Sequence, residues 1–334
     1  MNKKKVKKIV IAVGVDDVPR EDTLDALRSR DSVRMALVSL GYEAVLLDIT
    51  ENDMAAGADM ILSRLEEESP DAVFNIFEGF SDDSRAEITF AEILESSGIP
   101  FTGNGSQALE ICLDKSRTRD VLIKNGVSVP YGFPVYKMSD ISAREIRYPS
   151  FIKPLSEDAS VGIDEMSFVT DEKALRDRLE AKLKRFPGGL VVEEFISGKE
   201  YAAGFFGEYP YELAGVSLLD FGNAPSGMKF LNYSSKWDRS SAEYTGLIPG
   251  IMRDDSEVTR EMVSDLSRKA GLALGCSGYF RVDLREKDGE LYVLDVNPNP
   301  DINKDAGFAK QCYAKGLSYE KMIMKIIEIA LRKK

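Results

Sequence analysis

The chain of 334 residues contains no histidine, and this absence limits its chemistry. Without an imidazole there is no Ser-His-Asp or Cys-His nucleophile system, no histidine general base and no histidine-ligated metal. Any metal ion must therefore be held by oxygen atoms, which favours magnesium, manganese or calcium. The cysteines Cys112, Cys276 and Cys312 are few and widely spaced, which indicates packing residues rather than a disulfide framework or a zinc site.

An excess of basic charge and long apolar runs are also lacking. There are 44 basic and 56 acidic residues, so the net charge is -12. This charge disfavours binding to nucleic acid or to an anionic membrane. No apolar stretch approaches the ~20 residues that a bilayer-spanning helix needs, and the lysine-rich segment 3–8 leads into an apolar strand. We therefore expect a cytoplasmic protein with a small-molecule substrate and no nucleic-acid or membrane partner.

Strand-like and helix-like segments alternate in the first third of the chain. The apolar patterns predict strands at 8–15, 43–49 and 71–77, and helices around 54–67 and 87–97. A further helix is predicted to begin at Asp31 and to end at Gly41. Such alternation predicts an open parallel sheet flanked by helices over residues 1–103. Ligands of such sheets bind beyond the carboxyl ends of the strands.

The rest of the chain is predicted to form two further units. A turn at 102–106 marks the first boundary, and a helix is predicted over 108–124. Residues 104–188 form the second unit, which contains the loop 155–162. Residues 189–334 form the third unit, which ends in a helix at 319–332 and is predicted to carry the metal-binding and catalytic residues.

Two strands joined by a turn at 288–289 carry polar residues at alternating positions. Because successive side chains point to opposite faces of a strand, Arg281 and Asp283 share one face. Asp295 and Asn297 share a face of the second strand in the same way. The pattern is typical of either a solvated sheet face or a site for a metal and phosphate.

The register of this hairpin decides whether the two aspartates meet. A regular two-residue turn would place Asp283 opposite Leu294 and would turn Asp295 to the other face. An odd-length loop, or a bulge, would place Asp283 directly opposite Asp295. We predict one of these two arrangements.

Charged residues also stand inside strands that otherwise look buried. Lys153 follows two apolar residues, and Glu193 follows three. An unpaired charge in such a place is costly. Between them, the loop 156–162 is rich in small residues that can present backbone N–H groups to phosphates.

Six short motifs in a fixed order complete the pattern. They are residues 98–103 (GIPFTG), 113–118 (LDKSRT), 151–154 (FIKP), 192–200 (VEEFISGKE), 281–283 (RVD) and 294–297 (LDVN). From about Phe74 to the C-terminus, the chain resembles the D-alanine–D-alanine ligases of the ATP-grasp superfamily. The resemblance implies a mixed α/β and α+β protein, in which an open parallel Rossmann-like sheet precedes an ATP-grasp fold. It also implies ATP, Mg²⁺ or Mn²⁺, small amino-acid-like substrates and a homodimer.

The resemblance implies a nucleotide-binding role for seven positions. Lys115 and Lys153 would contact the phosphates, and the loop with Ser160 and Gly162 would close over them. Glu193 and the backbone of Ile196 would bind adenine, and Glu200 would bind the ribose hydroxyls.

The resemblance also implies the metal ligands and the catalytic groups. Asp283, Asp295 and Asn297 match magnesium ligands, and Arg281 matches an arginine that stabilises the acyl phosphate and the later oxyanion. Lys236 resembles a loop lysine that reaches the transferred phosphate. Phosphoryl transfer to a carboxylate brings two anions together, so fixed cations matter more than a proton shuttle. A chain without histidine can therefore perform it.

The departures from the family pattern lie mainly on the substrate side. Glu78 stands where the family has histidine, Ala306 where it has serine and Trp237 where it has tyrosine. Glu21 is a candidate contact for a substrate amine, and Asp295 replaces a glutamate on the nucleotide side. These differences predict that D-alanine alone is a poor substrate.

We therefore expect an ATP-dependent carboxylate-amine ligase that acts through an acyl phosphate on a small amino acid or peptide. Three alternatives stay open at this point. They are a true D-alanine–D-alanine ligase, an ATP-grasp kinase that only phosphorylates its substrate, and a nucleotide-binding module without turnover.

Overall fold

The computed structural model describes residues 7–16, 21–80, 83–157, 161–219, 230, 250–252 and 258–332. The predicted site residues Ser160, Lys236 and Trp237 lie outside these ranges, and the side chain of Glu21 is not described. In the described part of the chain, every helix is too short or too polar to cross a bilayer.

The first sheet is parallel and has the strand order β2-β1-β3. The five central residues of β1 are fully buried, as is usual for a parallel strand covered on both faces. This arrangement confirms the predicted parallel sheet. Its strands are β1 (Lys8–Gly14), β2 (Glu43–Ile49) and β3 (Ala72–Asn75), and its helices are α1 (Glu21–Ser39), α2 (Glu51–Ala56), α3 (Ala58–Glu68) and α4 (Ala86–Ser97).

Three helix predictions were wrong in extent, because one helix begins earlier and two are each divided into two helices. Helix α1 begins at Glu21, so Asp31 lies inside the helix and does not cap it. The helix predicted around 54–67 is divided at Gly57, whose φ of 99° is outside the helical range. The helix predicted over 108–124 is divided at Asp114, which has an extended backbone and accepts hydrogen bonds from the N–H groups of Ser116 and Arg117.

The second sheet is antiparallel and has the strand order β4-β7-β5-β6. Its strands are β4 (Gly132–Val135), β5 (Ser150–Pro154), β6 (Phe168–Val169) and β7 (Leu190–Glu194), and the helices of this region are α5 (Ser106–Leu113), α6 (Lys115–Lys124) and α7 (Glu172–Arg185). Leu175 and Leu179 of α7 pack on Ile152 and Val192 of the sheet. Strand β7 lies beyond residue 188, so this sheet takes strands from both sides of the predicted boundary there.

The third sheet is antiparallel and has the strand order β10-β9-β8-β11-β12. Its strands are β8 (Glu200–Phe206), β9 (Glu212–Leu219), β10 (Gly250–Ile251), β11 (Tyr279–Lys287) and β12 (Glu290–Asn297), and the following helices are α8 (Arg260–Ala273), α9 (Gly307–Ala314) and α10 (Tyr319–Arg332). Ile323 and Ile327 of α10 share a core cluster with Ile9 and Phe74 of the first sheet. The last helix therefore covers the first sheet and joins the two ends of the chain.

Asn104, the residue directly after the first unit, is hydrogen-bonded to the ends of β11 and β12. Its side chain is completely buried, and its Nδ2 donates to the carbonyl of Tyr279 at 2.9 Å and to the carbonyl of Pro298. Its Oδ1 accepts from the N–H of Ser277 at 2.6 Å. The Asn104 side chain thus forms hydrogen bonds to the backbone at the start of β11 and directly after the end of β12.

We predict that Asn104→Ala lowers the free energy of unfolding by about 1–3 kcal/mol, because buried backbone groups lose their partner. Chemical denaturation of the full chain measures this difference. Asn125→Ala is the matched control, since Asn125 is exposed at the end of α6 and should change the stability by less than about 0.5 kcal/mol. Equal losses in both variants would contradict the role given to Asn104.

Candidate active site

A cavity of about 580 Å³ is lined by residues from all three sheets. Gly14 of β1, Lys153 of β5 and Arg281 of β11 each contribute to its wall. The predicted site residues that line it are Glu78, Lys115, Lys153, Glu193, Ile196, Glu200, Arg281, Asp283, Asp295, Asn297 and Ala306. Gly162 is not among the lining residues, although its neighbour Val161 is. Residues far apart in the sequence therefore meet around one space.

The hairpin of β11 and β12 has the register that places the two aspartates opposite each other. Its turn has two residues, Asp288 and Gly289, with φ values of 54° and 79°, as in a type I′ turn. A bulge then leaves Leu294 without a partner, and Asp283 lies opposite Asp295. The prediction of an odd-length loop or a bulge is thus confirmed in its second form.

The bulge also provides an acceptor for Lys153. The Nζ of Lys153 donates to the carbonyl of Leu294 at 3.2 Å and lies 2.8 Å from Oε1 of Glu193. Both side chains are more than nine-tenths buried. Arg119 lies 3.8 Å from the other oxygen of Glu193 and donates to the carbonyl of Pro130 at 2.7 Å. Each buried charge in this group therefore has an opposite charge beside it.

Lys115 reaches the cavity from the first turn of α6. Its backbone N–H would lack a partner within the helix, and it donates to the carbonyl of Leu155 at 3.0 Å. Its Nζ donates to the carbonyl of Glu157 at 2.5 Å. The backbone N–H and the ammonium group of Lys115 thus both hold the start of the small-residue loop, and Lys115 lines the cavity.

Arg281 and Asp283 form a two-point ion pair on the polar face of β11. The distances are 2.7 Å from Nε to Oδ1 and 2.8 Å from Nη2 to Oδ2. Burial lowers the pKa of Arg281, but the charge and hydrogen bonds of Asp283, together with the charges of Asp295 and Asp301, hold the pKa above its ordinary value. The guanidinium group therefore stays charged at every physiological pH.

The predicted metal ligands are Asp283, Asp295 and Asn297, and the amide Nδ2 of Asn297 donates to Asp283 at 3.3 Å. Within the described ranges there is no group of three or more His, Cys, Asp or Glu side chains that could hold a metal. The resemblance implies that a bound cation would use the carboxylates of Asp283 and Asp295 and the amide oxygen of Asn297. Such a set of oxygen donors fits magnesium or manganese.

Comparisons with known proteins identify the family. The family model described as the D-ala D-ala ligase C-terminus matches residues 136–328. The chain is 30% identical over 323 residues to the D-alanine–D-alanine ligase of Syntrophotalea carbinolica, covering 96% of this chain and 95% of the relative. The chain belongs to the D-alanine–D-alanine ligase family.

Two other relatives agree with this assignment. D-alanine–D-alanine ligase B of Chromobacterium violaceum is 29% identical over 332 residues, with 97% of this chain and 98% of the relative covered. The crystal structure of the Bacillus anthracis D-alanine–D-alanine ligase complexed with ATP has a TM-score of 0.73 at 23% identity, and the match covers 98% of both chains. The fold is therefore the ATP-grasp fold expected from the sequence. Like its family, the protein is an ATP-dependent ligase that forms a carbon–nitrogen bond.

The part of the cavity wall that carries the predicted substrate contacts contains several acidic residues. Glu78 is exposed there, and Ala306 is the residue before α9 and offers no side-chain hydrogen bond to the helix end. Asp301 lines the same region and was missed in the sequence analysis. Its burial raises its pKa to about 6, although the N–H of Asn303 donates to its Oδ1 at 2.8 Å and favours the charged form. The sequence signal for Asp301 was its position four residues after Asn297, a predicted metal ligand.

Arg285 is a second cavity residue that the sequence analysis missed. It lies two residues after Asp283 on β11, so strand alternation puts it on the same face as Arg281 and Asp283. That alternation was a usable signal. The family motif itself ends at Asp283, two residues before Arg285.

Proposed function

We propose that the protein joins two molecules of D-alanine with hydrolysis of ATP to ADP and phosphate. The carboxylate of the first D-alanine takes the γ-phosphoryl group and ADP leaves. The amine of the second D-alanine then attacks the acyl carbon, loses a proton and expels phosphate. The observation that carries this proposal is the similarity to D-alanine–D-alanine ligases along almost the whole chain, at 30% identity over 96% of it in one case.

The charges of the cavity support the first step. A carboxylate and a triphosphate repel each other, so the step needs fixed positive groups at the point where they meet. Lys115 and Lys153 line the cavity together with Arg281, and we propose that the lysines hold the phosphates. Magnesium, when bound, would offset phosphate charge next to Asp283 and Asp295.

Arg281 is proposed to act on the reacting carboxyl group in both steps. Its ion pair with Asp283 fixes the plane of the guanidinium group. A guanidinium that is already oriented loses little entropy when it binds the acyl phosphate or the oxyanion. Lys236 and Ser160, whose roles rest on the resemblance alone, are proposed to complete the phosphate contacts.

A second candidate is a ligase of the same kind with another amino acid as substrate. The observation in its favour is the acidic substrate side, where Asp25, Glu78 and Asp301 all line the cavity. Acidic side chains favour a substrate with an additional cationic group. This candidate keeps the same chemistry and differs only in the amino acid that is selected.

Phosphate release from ATP and Mg²⁺, screened over single and paired D- and L-amino acids, tests the proposal. We expect release with sub-millimolar D-alanine and a product with the mass of D-alanyl-D-alanine. This replaces the expectation, based on Glu78 and Ala306, that D-alanine is a poor substrate, because relatives named D-alanine–D-alanine ligases match almost the whole chain. Release only with another pair would reject D-alanine and support the second candidate. A stable phosphorylated amino acid would indicate a kinase, and ATP binding without any release would indicate a binding module.

Two expectations from the family resemblance are also part of the proposal. They are a homodimer and a cytoplasmic location. Sedimentation of the purified full chain at several concentrations measures the first, and fractionation of the source cells measures the second. A monomer at all concentrations would reject the homodimer.

A further inference from the structure

Arg285 and Glu200 are directly opposed on neighbouring strands. They pair across β11 and β8, so their side chains share one face of the sheet. Nε and Nη2 of Arg285 both lie 2.9 Å from Oε2 of Glu200. Two donors of a planar guanidinium thus hold a single carboxylate oxygen.

The same guanidinium also holds the connector between β7 and β8, residues 195–199. Its Nη1 donates to the carbonyl of Ile196 at 2.9 Å, and its carbon Cζ lies 5.1 Å from the centre of the Phe195 ring. This connector joins the strand of Glu193 to the strand that begins at Glu200. One side chain therefore fixes the connector and the residue that follows it.

The connector is also pressed against β11 at Gly198. A Cβ atom on Gly198 would lie 2.0 Å from the carbonyl oxygen of Glu286, so no larger residue fits without a shift of the backbone. The side chain of Arg285 is only 3% exposed, whereas that of Glu200 is 22% exposed. The arginine is thus enclosed by the connector, and the glutamate still reaches the open cavity.

The two oxygens of Glu200 are therefore not equivalent. Oε2 accepts from Arg285, while no described residue donates to Oε1. A carboxylate accepts several hydrogen bonds, and holding one oxygen fixes the direction of the other. Oε1 is accordingly an oriented acceptor at the wall of the cavity.

We propose that Arg285 is a positioning residue that makes Glu200 selective for the ribose hydroxyl groups of the nucleotide. This inference rests on the proposed function, in which Glu200 takes the ribose-binding role that the family resemblance implies. Without Arg285, the carboxylate of Glu200 can rotate away and the connector is released. The binding free energy contributed by the hydrogen bond to each ribose hydroxyl is then lost. A role limited to strand stability would instead weaken all nucleotides alike.

Binding of ATP, 2′-deoxy-ATP and 3′-deoxy-ATP to the full chain, measured by calorimetry without amino acids, tests this inference. We expect the wild type to prefer ATP over at least one deoxy nucleotide by about tenfold, the value of one hydrogen bond to a charged acceptor. In Arg285→Met, we expect ATP to bind about tenfold more weakly and the preference to fall within roughly twofold. Arg285→Lys should give an intermediate preference.

Two further variants sharpen the test. Glu200→Gln should lose the same preference, and adding Arg285→Met to it should change ATP binding no further, because the two side chains act as one unit. Arg268→Met is the matched control, since Arg268 has both a carboxylate partner, Asp265, and an aromatic neighbour, Phe205. It should leave the preference unchanged.

The outcomes separate this inference from the proposed function. Equal weakening of ATP and both deoxy nucleotides in Arg285→Met, or a wild type without any preference, would overturn the inference. If Arg285→Met does not fold, unchanged preference in the folded Arg285→Lys would overturn it as well. Failure of D-alanine as a substrate would reject the proposed function and leave these binding measurements intact.

Discussion

Asp295→Asn is expected to reduce turnover to nearly zero while the fold remains intact. Asp295 lies opposite Asp283, and directly opposed side chains have Cβ atoms about 4.5–5.5 Å apart. Without the Asp295 carboxylate, the proposed cation loses a charged ligand, and the negative charge of the phosphates beside it is neutralised less completely. Several kcal/mol of transition-state stabilisation are at stake, which corresponds to a loss in kcat on the order of 10³-fold or more.

The fold should survive this change because asparagine has the same shape. Oδ1 of Asp295 accepts from the N–H of Val296 at 3.1 Å, and an amide oxygen can do the same. The measurements are kcat at saturating substrates and Tm. Glu290→Gln is the control on the same strand, because Glu290 is exposed and its side chain accepts a hydrogen bond from the Tyr292 hydroxyl. Near-normal turnover in Asp295→Asn would refute the proposed metal site.

Arg281→Lys is expected to lower kcat by roughly 10²–10³-fold, the usual cost of removing one oriented donor from a developing oxyanion. Lysine keeps the positive charge but cannot make the two parallel bonds that Arg281 makes to Asp283. Its ammonium group would therefore pair with Asp283 and lose the fixed direction toward the substrate. ATP binding should change little, because the proposed contact strengthens only in the transition state.

Steady-state kinetics and ATP calorimetry together test this prediction. Arg30→Lys is the control, since Arg30 also contacts two carboxylates, those of Asp31 and Asp48, on the surface of the first unit. We expect it to keep normal turnover. Loss of ATP affinity in Arg281→Lys with an unchanged kcat would place Arg281 in nucleotide binding and contradict its role in the reaction.

Local patterns were sufficient for many features of the molecule. The strand at 43–49 and the last helix at 319–332 were predicted with the bounds that the structure has. Their apolar positions repeat with a period that depends only on neighbours in the chain. The divisions at Gly57 and Asp114 were also local, and the helix-capping residue types could have revealed them.

Composition and motif order determined the class of chemistry. The absence of histidine restricted the site to oxygen ligands and fixed cations, and six ordered motifs indicated the family without any tertiary contact. Alternation along β11 put Arg281 and Asp283 on one face, and the structure has them paired there. These conclusions need only residue types and their spacing.

Tertiary structure alone decided which residues became partners. The bulge at Leu294 chooses the register of the hairpin and gives Lys153 a carbonyl acceptor 141 residues away in the sequence. Arg285 meets Glu200 across 85 residues, and Asn104 meets the ends of β11 and β12 across more than 170. A sequence pattern states which face a side chain takes, but it does not state which distant side chain lies opposite. That choice depends on the packing of whole sheets, because burying one charge is tolerable only where the fold brings its partner to the same place.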